Sequence, residues 1–254
     1  MTGCSIMPGM GQVNPTSPGP VVKMTRRERA KATRRRIAEV ALARFSEHGY
    51  AATTMDTIAH DAGVAVQTVY FTFHTKAELL IAALGIAGGG PGAPEDVLAR
   101  DWIAEVLDAP TGPRRLALIV EHGNEIYRRV GPLLPAVQAA ASIDPDVARA
   151  WQVLVDRRRD GMRRVVNEAF ARRRELRAGL DPELALDLLF GLHRAEVFVA
   201  FTAECGWPIE RFKAWQFVTL ARALLPAADA DAACAPGSAA AADLSFAPDV
   251  ASFC

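Results

Sequence analysis

The chain has 254 residues, half of them hydrophobic, and 29 basic side chains balance 29 acidic ones. That is enough apolar content for one large domain or a small domain joined to a larger one, and the zero net charge by itself gives no hint of a nucleic-acid partner. The charge is unevenly spread: Lys23 to Leu80 holds ten Lys or Arg against six Asp or Glu, and the remainder is net negative by the same four charges. A basic module on a mildly acidic body is expected where only one part of a protein approaches phosphate. The four cysteines, Cys4, Cys205, Cys234 and Cys254, have no paired spacing, and three lie near the ends of the chain. No disulfide framework and no metal site is read from them, so a reduced, cytoplasmic setting is expected. The most apolar stretch, Leu184 to Phe201, is broken by Asp187, Arg194 and Glu196, and the start of the chain lacks a secretory pattern, so no membrane partner is expected.

In chain order, residues 1–22 are rich in Gly, Pro and Ser without periodicity and read as a disordered tail, and Met24 offers a second translation start. Beyond them aliphatic residues recur at three- and four-residue spacing with no strand-like alternation, which predicts an all-α protein. Helices are expected at about 25–48, 54–61, 65–71, 75–87, 95–108, 113–130, 132–141, 145–176, 182–205 and 208–225. Their starts are marked. Thr25 with Glu28 and Thr75 with Glu78 form capping boxes, and Asp144-Pro145 and Asp181-Pro182 set a carboxylate cap before a proline. Gly49 is a helix stop, and Gly88-Gly89-Gly90-Pro91-Gly92 predicts a loop. Residues 227–254, rich in Ala with scattered Pro and Asp, read as a second disordered tail, with Leu244 to Phe253 the part able to pack.

The run from Thr53 to Tyr70 has the grammar of a helix-turn-helix. A short helix capped by Thr53 or Thr54 turns Ile58 and Ala59 inward, and Ala59 is small enough to let a second helix cross closely. Gly63 supplies the turn and Val64 plugs the angle. The second helix then presents Val66, Gln67, Thr68, Phe71 and Thr72 outward, short enough to enter a major groove end-on. Phe71 either packs on the first helix or contacts DNA, with packing the preferred reading.

These residues carry a family resemblance. Gly49-Tyr50, Thr53-Thr54, Ile58-Ala59, Ala62-Gly63-Val64, Thr68-Val69-Tyr70, Phe73, Thr75-Lys76 and Leu79 match, in register and without gaps, the pattern of the TetR family of tetracycline-repressor-like regulators. The motif covers about a fifth of the chain, and the helical layout extends the resemblance over most of the remainder. The chain departs from the pattern at Ala65, where the family usually carries Ser, and at Thr72, where His or Tyr is commoner.

The resemblance implies an N-terminal three-helix DNA-binding domain (23–80) and a larger helical effector-binding and dimerisation domain (81–226). It implies that Thr54 and Tyr70 meet phosphates, with Lys76 adding charge at a helix N-terminus and His74 a weaker candidate. Gln67 and Thr68 are the base readers, since Gln pairs bidentately with adenine and Thr touches a thymine methyl, and Ala65 and Val66 open the same helix. Arg26, Arg27, Arg34 and Arg35 supplement phosphate contact. The competing reading makes Tyr70 a half-buried aromatic and Lys76 a solvated charge. The expected partner is double-stranded DNA with a pseudo-palindromic operator, half-sites about 34–36 Å apart.

The family also implies a homodimer through the last two long helices. Leu184, Leu188, Leu192, Ala195 and Val199 form one stripe and Leu189, Val197, Phe198 and Phe201 another, while Phe212, Trp215, Val218 and Leu224 add to the final helix. One stripe serves the monomer's core and the other needs a partner. Candidates for an effector pocket are Trp102, His122, Tyr127, Trp151 and His193, with Glu196 beside them; the effector is a small molecule of unspecified identity. No cofactor and no catalytic residue is expected: the chain lacks metal-ligand spacing, a Gly-x-Ser-x-Gly elbow and a phosphate loop. Taken together the residues point to a transcription regulator, a repressor by family habit, the alternative being a helical adaptor with weakened DNA binding.

Overall fold

A computed structural model describes residues 1, 25–89, 100–235 and 238–254, and all regular structure among them is helical. The expected disorder of residues 1–22 and most of the Gly-rich loop lie outside the described residues. Helix α1 (Arg26–Ala52) opens on the Thr25–Glu28 capping box, with Thr25 N donating to Glu28 at 2.6 Å and Glu28 N to Thr25 Oγ1 at 3.2 Å. It buries Ile37, Ala38, Ala41 and Phe45 and breaks at Gly49, whose φ of 75° suits a residue without Cβ. Helices α2 (Met55–Asp61) and α3 (Val66–Thr72) are joined by a turn at Gly63, φ 61°, with Val64 N donating to Ala59 O at 3.0 Å.

Helix α4 (Lys76–Gly89) runs without interruption through residue 80 and takes in Gly88 and Gly89, where a loop was expected. Glu78 N donates to Thr75 Oγ1 at 3.1 Å, but the Glu78 carboxylate reaches back to His74 N, so the second capping box is only half formed. The far end of α4 is held by Arg129, which donates to the carbonyls of Ala87 at 2.9 Å and Gly88 at 3.3 Å. Leu79, Leu80, Ala83, Leu84 and Ala87 join Ile37, Phe45, Ile58, Val69 and Phe73 in one buried cluster. That cluster continues into Leu133, Val137, Ala140 and Val147 of the following helices.

The body comprises α5 (Asp101–Asp108), α6 (Gly112–Val130), α7 (Leu134–Ile143), α8 (Pro145–Val166), α9 (Pro182–Leu192), α10 (Ala195–Val199) and α11 (Ile209–Leu224). Asp144 and Asp181 cap α8 and α9 as their Asp-Pro pairs predict. Two expected helices are shorter. The one from Pro145 ends at Val166, widens into a π turn over Asn167–Ala171, and stops before Arg174, whose φ is 59°. The helix expected over 182–205 is broken at His193 and Arg194, both non-helical: His193 N still donates to Leu189 O, but its carbonyl is held by Tyr127 and Arg158 in place of a helical N–H.

The tail expected over 227–254 is not disordered where described. Ala227–Cys234 forms α12, and Ala247–Phe253 a 3₁₀ turn. Phe246, Ala233 and Val250 are buried in the same core as Phe217, Val218 and Leu220. Cys234 and Cys254 form a disulfide, so the reading that no pair exists is corrected. Their spacing gave no signal because only the return of the chain over α11 brings them together. One result is that α11 spends its apolar residues, Phe212, Phe217, Val218 and Leu224, inside one chain.

Candidate nucleic-acid interface and sensor core

Helix α3 is gripped from behind. Val69 is fully buried and Phe73 follows it into the core, while Arg34 donates to Thr72 O at 2.7 Å and lies 4.2 Å over the Phe73 ring. Arg34 is therefore engaged in holding α3 to α1. The opposite side of α3 is open: Ala65, Gln67 and Tyr70 are exposed, Val66 and Thr68 partly so. Tyr70 is 50% exposed and Phe71 87%. Of the two placements open to Phe71, packing on the first helix does not occur, because the inward side of this short helix is already filled by Val69 and Phe73.

Around this helix the other candidates are placed differently from one another. Thr54 is exposed at the start of α2, but its backbone N–H donates to Thr57 Oγ1 at 3.2 Å and its own Oγ1 accepts from Thr57 N at 3.1 Å. Both groups offered to phosphate are engaged in a cap. His74 is exposed and meets Glu78 at 3.2 Å. Lys76 is not a free charge: its Nζ lies 4.2 Å over the Tyr50 ring, and burial lowers its pKa against the opposing pull of Asp144.

Tyr50 was read only as part of a motif. Its hydroxyl donates to Asp144 Oδ2 at 2.9 Å, joining the helix-turn-helix to the start of α8. Burial and this bond to a carboxylate push the Tyr50 pKa well above the phenol range, and the same bond holds the Asp144 carboxyl below its usual value.

The effector candidates separate into groups. Trp102 stacks on His122 at 5.5 Å near the surface, where His122 Nε2 meets Glu105 at 2.8 Å; His122 is not in an apolar interior. Tyr127 and His193 are buried with ring centroids 5.0 Å apart. Trp151 is half-buried where two apolar clusters meet, and Glu196 pairs with Arg194. Trp102 with His122 and Tyr127 with His193 thus form two separate ring contacts. Shallow hollows lie beside Ala241 and Val250, about 160 Å³, and among Arg177, Arg222 and Asp231, about 440 Å³, away from these rings.

What surrounds His193 is a polar cluster inside the core. Gln216 Oε1 accepts from His193 Nδ1 at 3.0 Å and from Asn124 Nδ2 at 2.7 Å, while Gln216 Nε2 donates to Leu192 O at 2.9 Å. Tyr127 donates to His193 O at 2.8 Å, and Arg158 bonds the same carbonyl at 2.5 Å. These bonds satisfy carbonyls freed by the break after α9. Burial lowers the His193 pKa to about 4 and raises that of Tyr127. Asn124, Gln216 and Arg158 were not foreseen, since single polar residues in apolar helices do not announce their partners. Among the described residues no cluster of metal-ligating side chains is present, and no single helix is long and apolar enough to cross a membrane.

Comparison with known proteins places this geometry. Residues 37–83 match the family model for bacterial regulatory proteins of the tetR family, and residues 114–204 that for a tetracyclin repressor-like C-terminal domain. The chain is 32% identical over 145 residues to the HTH-type transcriptional repressor KstR of Mycolicibacterium smegmatis, covering 57% of this chain and 64% of that one. It is 31% identical to KstR of Mycobacterium tuberculosis, covering 57% and 60%. The match thus spans less than two thirds of either relative. Among solved structures, a TetR-family transcriptional regulator from Mesorhizobium loti superposes with a TM-score of 0.59 at 23% identity, covering 78% of this chain and 98% of that one, which establishes a shared fold. With two models of one family together matching more than half of the sequence, on a fold shared with a solved member, the chain belongs to the tetR family of bacterial regulatory proteins.

Proposed function

We propose that this protein is a DNA-binding transcription regulator of the repressor class, and that α3 is its reading helix. The observation that carries the reading is the outward side of α3, where Gln67, Tyr70 and Phe71 stand exposed on a helix whose other side is locked by Val69, Phe73 and Arg34. A soluble protein gains nothing by displaying an aromatic 87% exposed on a rigid short helix unless something covers it. A groove wide enough for an α-helix, with methyl groups and base edges along its floor, is such a cover. Gln67 and Thr68 serve as base readers, Tyr70 as a phosphate contact, and Lys76 as a supporting charge steadied by Tyr50.

The proposed domain division, 23–80 and 81–226, assigns the second part to sensing and dimerisation. Leu184 on α9 and Val153 on α8 are exposed, with Leu188 partly buried beside the core, and this apolar surface supports a second copy docking there. Because α11 is already covered within the chain, α9 carries more of that contact than a pairing through both final helices requires. Sensing is proposed for the region around the break at His193, where polar groups already interrupt the core.

The test is binding of fluorescent duplexes from the DNA upstream of the protein's own gene, titrated at several salt concentrations. Specific binding that weakens steeply with salt, and is lost in Gln67→Ala and Tyr70→Ala, supports the reading. A folded protein that prefers no duplex at low salt would leave a helical adaptor in its place.

A further inference from the structure

We propose that Cys234 and Cys254 form a redox switch that fastens residues 238–254 as a strap across α11 and α6. The disulfide joins the end of α12 to the end of the 3₁₀ turn, with Cα atoms 5.5 Å apart and 20 residues of sequence between them. Within that span Phe246 lies 5.7 Å from Phe217, and Phe253 stacks on Trp207 at 5.8 Å. Arg114 of α6 holds Asp243 through two bonds, 2.5 and 2.9 Å, and Ala240 O at 3.2 Å. The buried Lys213 of α11 bonds Glu121 at 2.8 Å and Ser245 at 3.0 Å, and Arg222 bonds Phe253 O and Cys254 O.

Apart from Phe246, the strap's buried apolar residues are small, Ala240, Ala241 and Val250, and the Asp243 end of its ion pair with Arg114 is exposed. Such contacts are weak when set against the entropy of ordering this length of chain. The crosslink supplies the missing restraint by limiting the excursions of the undocked strap. Closing or opening the bond therefore decides whether the strap stays down.

The inference rests on the regulator reading at one point. A protein that binds cellular DNA works where thiols are kept reduced, and disulfides there are usually transient and redox-sensing. Cys254 is exposed and Cys234 half-buried on α12, which suits an attacking and a resolving thiol. The Cys254 thiolate attacks the O–O bond of a hydroperoxide, becoming a sulfenic acid as the alcohol or water leaves. Cys234 then attacks the sulfenic sulfur, the S–S bond forms, and water departs. Two thiols and one hydroperoxide thus give one disulfide, one alcohol or water, and one further water. A dithiol reductant reverses this by two exchanges and ends as a disulfide itself.

The experiment compares amide hydrogen exchange by mass spectrometry in the full chain after stoichiometric hydrogen peroxide and after dithiothreitol. Exchange over 238–254 rises at least about tenfold on reduction, with a smaller rise in α11. Cys254→Ser and Cys234→Ser behave as the reduced form in both conditions, and Cys205→Ser behaves as the wild type. Equal exchange in the two redox states of the wild type overturns the proposal, as does a peroxide product lacking the Cys234–Cys254 crosslinked peptide. No DNA enters the assay, so its failure leaves the regulator reading intact, and failed DNA binding leaves the crosslink measurable.

Discussion

Tyr50 and Asp144, 94 residues apart in sequence, share a hydrogen bond of 2.9 Å that joins the end of α1 to the N-cap of α8. Asp144 spends its other oxygen on Asp146 N at 2.9 Å, so one carboxylate both caps a helix and ties the reading module to the body. Tyr50→Phe is expected to cost about 1 kcal/mol in urea unfolding, the usual worth of a single hydrogen bond. Asp144→Ala removes the cap as well and is expected to cost about 2 kcal/mol. Equal losses in the two variants would mean that the cap contributes nothing. Because the Asp144 carboxyl is held below its ordinary pKa in the folded state, its contribution is present above the unfolded value and fades as the pH falls through the folded one.

The break after α9 depends on a glycine facing it. A Cβ on Gly123 would sit 2.0 Å from His193 Nε2, and the ring cannot retreat because Gln216 holds its other nitrogen. Gly123→Ala is expected to destabilise by about 1–3 kcal/mol, the range for overpacking a filled core. Adding His193→Ala to Gly123→Ala should recover part of that loss, and a strictly additive double mutant argues against the clash.

His193 sets an acid limb on stability. Its pKa is lowered to about 4 by burial, against an ordinary value of 6.5. The unfolded chain therefore takes up a proton before the folded one does. Stability due to this group is complete above pH 6.5 and is lost as the pH falls toward 4, by about 3 kcal/mol in all. Thermal melts of His193→Gln between pH 7 and 4 should show a shallower decline than the wild type, and parallel curves would remove His193 as the cause.

Phe71 and Tyr70 separate stability from recognition. Replacing either exposed ring by Ala should change folding stability by no more than about 0.5 kcal/mol. The same substitutions should weaken duplex binding by about tenfold or more if the rings lie against DNA. A Phe71→Ala protein that binds like the wild type would limit the reading helix to Gln67, Thr68 and Tyr70.

Local chemistry was legible in the sequence. Thr25 with Glu28, Asp144-Pro145, Asp181-Pro182, Gly49 and Gly63 each name their own geometry within four residues, and the structure has each in place. What escaped notice depends on partners distant in sequence. The stripe Leu184, Leu188, Leu192 passes smoothly into Ala195 and Val199, and Gly191, which keeps its place within α9, does not signal that Gln216 and Arg158 hold the chain open at His193. The Ala-rich stretch after Pro226 looks unstructured because Ala233, Ala241 and Val250 become core only against Phe217 and Leu220. Gln67 and Phe71 both stand on the outward side of α3 as the helical spacing placed them, but the sequence left Phe71 divided between packing on the first helix and facing a partner, since an aromatic looks the same whether it serves a core or a partner.

The continuous cluster that runs from Ile37 and Phe45 through Leu80 and Leu84 to Leu133, Val137 and Val147 has a practical consequence. An excised fragment ending near residue 90 would bare one flank of α4 and lose the residues that roof it, so it should aggregate or melt without a cooperative transition. The intact chain should instead lose α1 to α4 and α7 in a single step on heating. A binding specialist seeking a minimal reading head from this protein would have to keep α7 and the first turn of α8.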